Sequence, residues 1–222
     1  MRGDGSIGVD YHTHSRFCDG AGDLADYVAA AQAIGLEQIG LSAHAPVPFD
    51  TPWHLDPKEM SRYLTEARSL AEGSQTTRVL VAMEIDYFYA EGKPGWSIVD
   101  RRELDYVIGS IHFLGVLSDG TRWTVDGPAQ ELVRGIAECH DGNARDAVET
   151  YFSRVREMVE QAPPDIVGHL DLIKKNNLHA GPGTLFDEGA SWYRETLDAT
   201  IESIARAGCI VEVNTGAVSR GY

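Results

Sequence analysis

The most constraining feature of this sequence is a recurring pattern in which a short apolar segment ends directly at a histidine or glutamate. The first example is Val9-Asp10-Tyr11-His12-Thr13-His14, near the start of the chain. Side chains alternate along an extended strand, so His12 and His14 point the same way and can share a metal ion. A single His-x-His pair is weak evidence, because most such histidines are core or surface residues. Four later apolar segments repeat the pattern and end at His44, Glu84, His112 and His169.

Amphipathic helices are predicted between these apolar segments. Asp23 is a good N-cap for the first helix, which should end at Gly35. Strands are predicted over 9–14, 39–43, 79–83, 106–111, 166–168 and 209–213, and later helices over 58–71, 130–138, 146–161 and 192–207. This alternation favours parallel strands covered by helices. Functional residues at several strand ends favour a TIM-like barrel over an open doubly wound sheet, which concentrates its ligands at one switch point.

Within the second predicted helix, the apolar spacing predicts a buried stripe. Its residues are Met60, Leu64, Ala67 and Leu70 or Ala71.

Two irregular segments follow ligand-bearing strands. Segment 45–57 contains four prolines, which predicts a rigid loop. Segment 113–143 includes a hairpin turn at Asp119-Gly120 and is a candidate lid or substrate wall. Four aromatic residues of these segments are available to face a substrate ring, with ordinary packing as the alternative for each: Phe49, Trp53, Phe113 and Trp123.

Composition narrows the class of protein. A chain of 222 residues with 43% apolar residues is expected to form one globular domain. No apolar run is long enough to span a bilayer, and residues 1–8 do not resemble a signal peptide, so no membrane partner is expected. Three cysteines without metal-type spacing favour a cytoplasmic protein. The net charge of −15 disfavours a nucleic-acid partner, although metal cations can still hold a small anionic substrate.

Seven residues at or beside the strand ends are candidate metal ligands: His12, His14, Asp19, His44, Glu84, His112 and His169. Imidazole and carboxylate ligands in this mixture suit zinc, manganese or iron. Cys18 is assigned to packing, and Lys174-Lys175 to a solvated helix face. The loop histidines His54, His140 and His179 are given no functional role.

Five ordered motifs resemble those of the PHP (polymerase and histidinol phosphatase) family. They are Asp10–Ser15, Ser42–Pro46, Met83–Asp86, Gly109–Phe113 and Gly168–Asp171, and the segment Glu212–Tyr222 is similar to one of the histidinol-phosphatase branch. The resemblance covers essentially the whole chain. It implies a distorted TIM-like (β/α)7 barrel that holds two to three divalent metal ions, zinc, manganese or iron.

The same resemblance implies roles for individual residues. His12, His14 and Glu84 would hold one metal, and Asp19 and His44 another. Glu84, His112 and His169 would bridge or complete the cluster. Arg220 matches a position suited to bidentate phosphate binding, with a surface arginine as the alternative. The acid for the leaving group could be a metal-bound water or Asp171, and the alternative role of Asp171 is to orient His169.

One departure from the family concerns the end of the chain. The family carries a later motif whose Asp and His complete two metal sites, and this sequence reaches Tyr222 before any such motif. We therefore expect residues 1–222 to form a single PHP-type domain that lacks its last β/α unit, roughly 30 residues. Open strand edges in such a domain would favour pairing with another chain, so a homodimer is a further expectation.

The function implied by the resemblance is hydrolysis of a small phosphorylated substrate, L-histidinol phosphate, to L-histidinol and phosphate in histidine biosynthesis. Clustered metals activate water and neutralise phosphoryl charge in such reactions. Two alternatives stay open. One is a PHP-type phosphoesterase that acts on phosphotyrosine, another small phosphoester or a nucleic-acid 3′ end. The other is a metal-poor, non-catalytic fragment.

Overall fold

The computed structural model describes residues 8–90, 92–178 and 184–216, which divide into two compact units. The first unit comprises the residues up to Ile85 together with Ser97–Ile108. It contains β1 (Val9–Thr13), α1 (Leu24–Ala33), β2 (Gln38–Leu41), α2 (Met60–Gly73) and the beginning of β3 (Arg78–Ala90). β1 pairs with β2 and β2 with β3, both in parallel. This half of the chain therefore has the predicted alternation of parallel strands and helices.

Helix α1 forms where the sequence predicts it. Leu24, Val28 and Ala31 are buried, so the apolar residues line one face. The Asp26 carboxylate accepts a hydrogen bond from the Asp23 amide at 2.8 Å, which satisfies one of the unpaired donors at the helix start. Gly35 follows with a φ of +72°, the left-handed conformation in which helices commonly end.

Helix α2 confirms the predicted stripe only in part. A 3₁₀ turn at Pro57–Glu59 precedes it, and its two fully buried residues are Tyr63 and Ala67. Ala67 belongs to the predicted stripe, whereas Tyr63 does not. An aromatic ring with a hydroxyl at its tip can be buried when that hydroxyl finds hydrogen-bond partners, and here it does.

The second unit comprises Asp86–Trp96 and the described residues from Gly109 onwards. The rest of β3 pairs in antiparallel fashion with β4 (Lys93–Trp96), a hairpin that the apolar pattern did not predict. Then come β5 (Tyr106–Ser110), which begins in the first unit, β6 (Phe113–Val116), β7 (Arg122–Thr124), α3 (Ala129–Cys139), α4 (Ala144–Gln161), β8 (Ile166–Val167), α5 (Ser191–Ala207) and β9 (Ile210–Val211). The predicted hairpin at Asp119-Gly120 is confirmed by the antiparallel pairing of β6 with β7.

A large apolar core fills the second unit. The inward residues predicted for α4, among them Phe152 and Val155, are fully buried. Trp123 is also completely buried in this core, and Phe113 is buried as well, which favours the packing alternative for both rings. Strand β9 differs from expectation, because an apolar run is typical of a buried strand, yet Ile210 is 63% exposed.

The strand order is β1-β2-β3-β5-β8-β9, with β4 beside β3. These six strands are the ones that the apolar segments predict, and the α/β class is confirmed. Among the described residues, no helix combines the length and the apolar character needed to cross a membrane.

Candidate metal centre

Strand β1 brings two imidazoles to one side of the chain. The ring centroids of His12 and His14 lie 5.0 Å apart. The turn that follows folds back on the strand, since the Gly20 amide donates to the Ser15 carbonyl at 3.0 Å. A Cβ at position 20 would lie 2.3 Å from the His14 carbonyl oxygen. The close turn therefore requires glycine, and it places Asp19 beside His14.

Glu84 is a fully buried carboxylate on which three imidazoles converge. Its Oε2 lies 3.1 Å from His12 Nε2, 3.2 Å from His14 Nε2 and 3.0 Å from His44 Nδ1. A buried carboxylate needs a positive partner, because removing its charge from water costs several kcal/mol. Three ring nitrogens and a carboxylate oxygen are ligands that zinc and related divalent metals prefer. The chemistry of this donor set thus fits a divalent cation.

Asp19 lies on the other edge of the His14 ring. Its Oδ1 is 2.7 Å from His14 Nδ1 and 3.8 Å from His44 Nε2. Burial lowers the pKa of His14, but hydrogen bonds to Asp19 and Cys18 and the Glu84 carboxylate outweigh burial and raise the pKa to about 12. Burial raises the pKa of Asp19, but the His14 hydrogen bond and the His44 charge together hold this pKa below its usual range. Asp19 can therefore orient His14 and offer an oxygen ligand beside His44.

The proline-rich loop after His44 adds an aromatic wall to this centre. The Trp53 ring packs edge-on against His44 at 4.6 Å between centroids, and the His54 ring lies 3.8 Å from that of Trp53. The Thr51 hydroxyl lies 2.6 Å from His54 Nδ1 and holds the ring in place. His54, which was given no functional role from the sequence, thus lies only 5.4 Å from the His44 ring.

The second unit carries its own histidine pair. The ring centroids of His112 and His169 are 4.9 Å apart. The buried Asp86 carboxylate lies 2.8 Å from His112 Nδ1, an arrangement that fixes the tautomer of a metal-binding imidazole. His169 has a φ of +21°, unusual for a residue with a side chain, and its amide donates to Glu212 Oε2 at 2.7 Å. Such strained positions tend to occur at functional sites.

The two other predicted site residues are Asp171 and Arg220. Asp171 forms an ion pair with Lys174, and its predicted role as an acid stays a prediction. Arg220 lies outside the described residues, as does His179. Lys175 is not part of a solvated face, because its Nζ donates to the Asp126 carbonyl oxygen at 2.9 Å.

The seven predicted ligands are divided between the two units. The first unit gathers five of them, and the second unit pairs the other two. Sequence reasoning missed Asp86 and Glu212 as partners of His112 and His169. A signal existed for Asp86, which stands two residues after Glu84 in the quoted motif. The sequence carried no comparable signal for Glu212, because its partner is a backbone amide 43 residues away.

A model of the PHP domain matches residues 10–216. The chain belongs to the PHP domain family. Two relatives, each named "Probable histidinol-phosphatase", come from Deinococcus radiodurans and Schizosaccharomyces pombe. The first is 28% identical over 170 residues, covering 75% of this chain and 61% of the relative. The second is 24% identical over 227 residues, covering 96% of this chain and 71% of the relative. This PHP chain thus spans somewhat less than two thirds of the first relative's length.

A solved structure supports the fold assignment. It is histidinol phosphate phosphatase of Lactococcus lactis, complexed with zinc, L-histidinol and phosphate. The similarity has a TM-score of 0.61 at 22% identity and covers 93% of this chain and 73% of that protein. The PHP chain therefore has the distorted TIM-like α/β fold of that enzyme.

Proposed function

We propose that this chain is a metal-dependent phosphatase that hydrolyses L-histidinol phosphate to L-histidinol and phosphate. The observation that carries the proposal is the convergence of three imidazole nitrogens on the fully buried Glu84 carboxylate. Two relatives named for this activity support the choice of substrate. So does the likeness to a phosphatase whose structure contains zinc, L-histidinol and phosphate.

The residues that would hold divalent ions are the same seven that the sequence singles out. His12, His14 and Glu84 would hold one ion, and Asp19 and His44 another, since their donor atoms lie close enough to share a cation. His112 and His169 would supply further nitrogens, with Asp86 fixing the first ring and Glu212 holding the backbone of the second. Two to three ions, zinc, manganese or iron, are proposed.

When bound, such ions lower the pKa of a coordinated water and neutralise phosphoryl charge. The chain's own part is to position the groups, which accounts for most of the catalysis in phosphoryl transfer. Arg220 is proposed as a bidentate phosphate ligand, and Asp171 as the acid that protonates the leaving alkoxide.

The test is phosphate release from a panel of substrates by the chain loaded with zinc, manganese or iron. The panel contains L-histidinol phosphate, phosphotyrosine, p-nitrophenyl phosphate and a 3′-phosphorylated oligonucleotide. We expect the highest kcat/KM for L-histidinol phosphate. Similar values across the panel would contradict the proposed substrate, and no turnover with any metal would contradict the phosphatase itself.

A variant links that activity to the metal centre. Glu84→Gln keeps the shape of the side chain but removes the charge facing three imidazoles. We expect it to lower bound metal and activity together, the latter by about 10²–10³-fold or more, the range for a lost electrostatic stabiliser. Glu72→Gln, at an exposed position on α2, is the matched control and should retain both. Normal metal content in Glu84→Gln would exclude this carboxylate as a ligand.

A further inference from the structure

The pairing of β2 with β3 is interrupted just before the metal centre. The regular parallel ladder ends with Leu41 opposite Val81. It resumes as a single bridge between His44 and Glu84, at the same offset between the two strands. Ala43 O accepts from the Glu84 amide at 3.1 Å, and Glu84 O accepts from the Ala45 amide at 2.8 Å. Two residues on each strand therefore separate the ladder from the pair of predicted ligands.

The hydroxyl of Tyr63 lies within this interruption. It lies 2.7 Å from the Leu41 carbonyl oxygen and 2.8 Å from the Ala82 carbonyl oxygen, so its proton is shared between the two strands. It also accepts a hydrogen bond from the Ala43 amide at 3.3 Å. One side chain from α2 thus partners the Ala43 amide and the Ala82 carbonyl oxygen, which a continuous parallel ladder would pair with each other, and it also contacts the Leu41 carbonyl oxygen at the end of the ladder.

The surroundings keep Tyr63 in this position and in this protonation state. The residue is completely buried, and the ring of Phe17 packs edge-on against it at 5.5 Å between centroids. Burial raises the pKa of the Tyr63 hydroxyl above its ordinary value, so the group keeps its proton at neutral pH. It therefore acts as a fixed donor and acceptor.

We propose that the Tyr63 hydroxyl is a positioning group for the metal centre, which sets the spacing of β2 and β3 so that His44 and Glu84 meet. The backbone groups that the hydroxyl binds lie close to the ligands along the chain, because Ala43 directly precedes His44 and Ala82 precedes Glu84 by two residues. The result is the 3.0 Å separation of His44 Nδ1 from Glu84 Oε2. This role rests on the proposed metal-dependent function, but it concerns the geometry of the site and not the identity of the substrate.

The experiment is a Co²⁺ titration of the full chain, followed by the visible absorption of the bound ion, whose intensity and wavelength report ligand geometry. Tyr63→Phe removes only the hydroxyl. We expect it to weaken Co²⁺ binding by about 10–100-fold, the range for residues that orient metal ligands, and to change the absorption spectrum. Ala67→Gly, at the next buried position of α2, is the control: it should lower Tm through helix propensity but leave affinity and spectrum as in the unaltered chain.

The outcomes separate this proposal from the proposed function. A Tyr63→Phe protein with unchanged affinity and spectrum would overturn the positioning role, and so would an unaltered chain that binds no Co²⁺. Co²⁺ binding by the unaltered chain without hydrolysis of L-histidinol phosphate would overturn the proposed substrate only. Should Tyr63→Phe fail to fold, amide hydrogen exchange of the unaltered chain decides. Slow exchange at Ala43 supports the bond to Tyr63, and exchange at the rate of an unprotected amide overturns it.

Discussion

Asp86 contributes to the site without being a predicted ligand. Its buried carboxylate faces His112 Nδ1, so the charge favours the tautomer that presents Nε2 to a metal. We expect Asp86→Asn to reduce metal affinity or activity by about 10–100-fold while the protein stays folded. Inductively coupled plasma mass spectrometry and phosphate release measure the two effects. Asp198→Asn, at an exposed position of α5, should change neither, and an Asp86→Asn protein with full activity would refute the orienting role.

Trp53 offers a prediction about specificity. Its ring packs against the rings of both His44 and His54 in the loop that follows a proposed ligand. An aromatic face there can pack against the imidazole of histidinol. Trp53→Ala should therefore raise KM for L-histidinol phosphate more than KM for p-nitrophenyl phosphate, with kcat less affected. Equal effects on the two substrates in a steady-state assay would show that the ring only supports the loop.

Asp105, just before β5, links helix α2 to strand β3 in the first unit. Its Oδ2 accepts from the Val81 amide on β3 and from Arg68 Nη1 on α2, each at 2.7 Å. Burial raises the pKa of Asp105, but these two donors lower it more, so the pKa lies below its ordinary value. The stabilisation is therefore present above the unfolded pKa, about 4, and is lost as the pH falls through the folded value.

Asp105→Asn tests this connection. At pH 7 we expect the free energy of unfolding to fall by about 1 kcal/mol, a figure reduced for screening because Arg68 is more than a third exposed. The difference from the unaltered chain should shrink as the pH falls below about 4. Urea denaturation at pH 7 and pH 3 measures both values, with Asp198→Asn as control. A difference that stays constant with pH would rule out the charge as its cause.

At the scale of secondary-structure elements, the sequence predicts which strands and helices are present better than it predicts where each one ends. Strand β3 was predicted to end at Met83, because the charged residues Glu84 and Asp86 interrupt its apolar run, yet both are buried and the strand continues to Ala90. Strand β4 contains Pro94 and Gly95, residues that are rare in strands. Glycine is required there, since a Cβ would lie 2.5 Å from the Phe88 ring. Such a contact depends on tertiary packing, which no local pattern shows.

At the scale of the whole molecule, the ligands come from distant parts of the sequence, so a bound metal should stabilise the fold. At a free metal concentration of 100 Kd, the gain is about 2.7 kcal/mol. For a chain of this size that corresponds to a rise in Tm of about 5–10 °C. Differential scanning calorimetry before and after dialysis against EDTA measures it. Glu84→Gln should show a much smaller difference, and equal Tm values with and without metal in the unaltered chain would contradict the prediction.

His14 lies between the carboxylates of Asp19 and Glu84, and this arrangement couples metal binding to the release of a proton into the buffer. Hydrogen bonds to Asp19 and Cys18 and the Glu84 carboxylate raise the pKa of His14, so we expect the ring to be an imidazolium before metal binds and to lose its second proton when a cation coordinates it. Metal binding should therefore release a proton. The enthalpy measured by isothermal titration calorimetry will then include the heat with which the buffer takes up that proton. Titrations in two buffers that do not coordinate metals and that differ in their heat of protonation should give different apparent enthalpies. That difference, divided by the difference between the two heats of protonation, gives the number of protons released per metal ion.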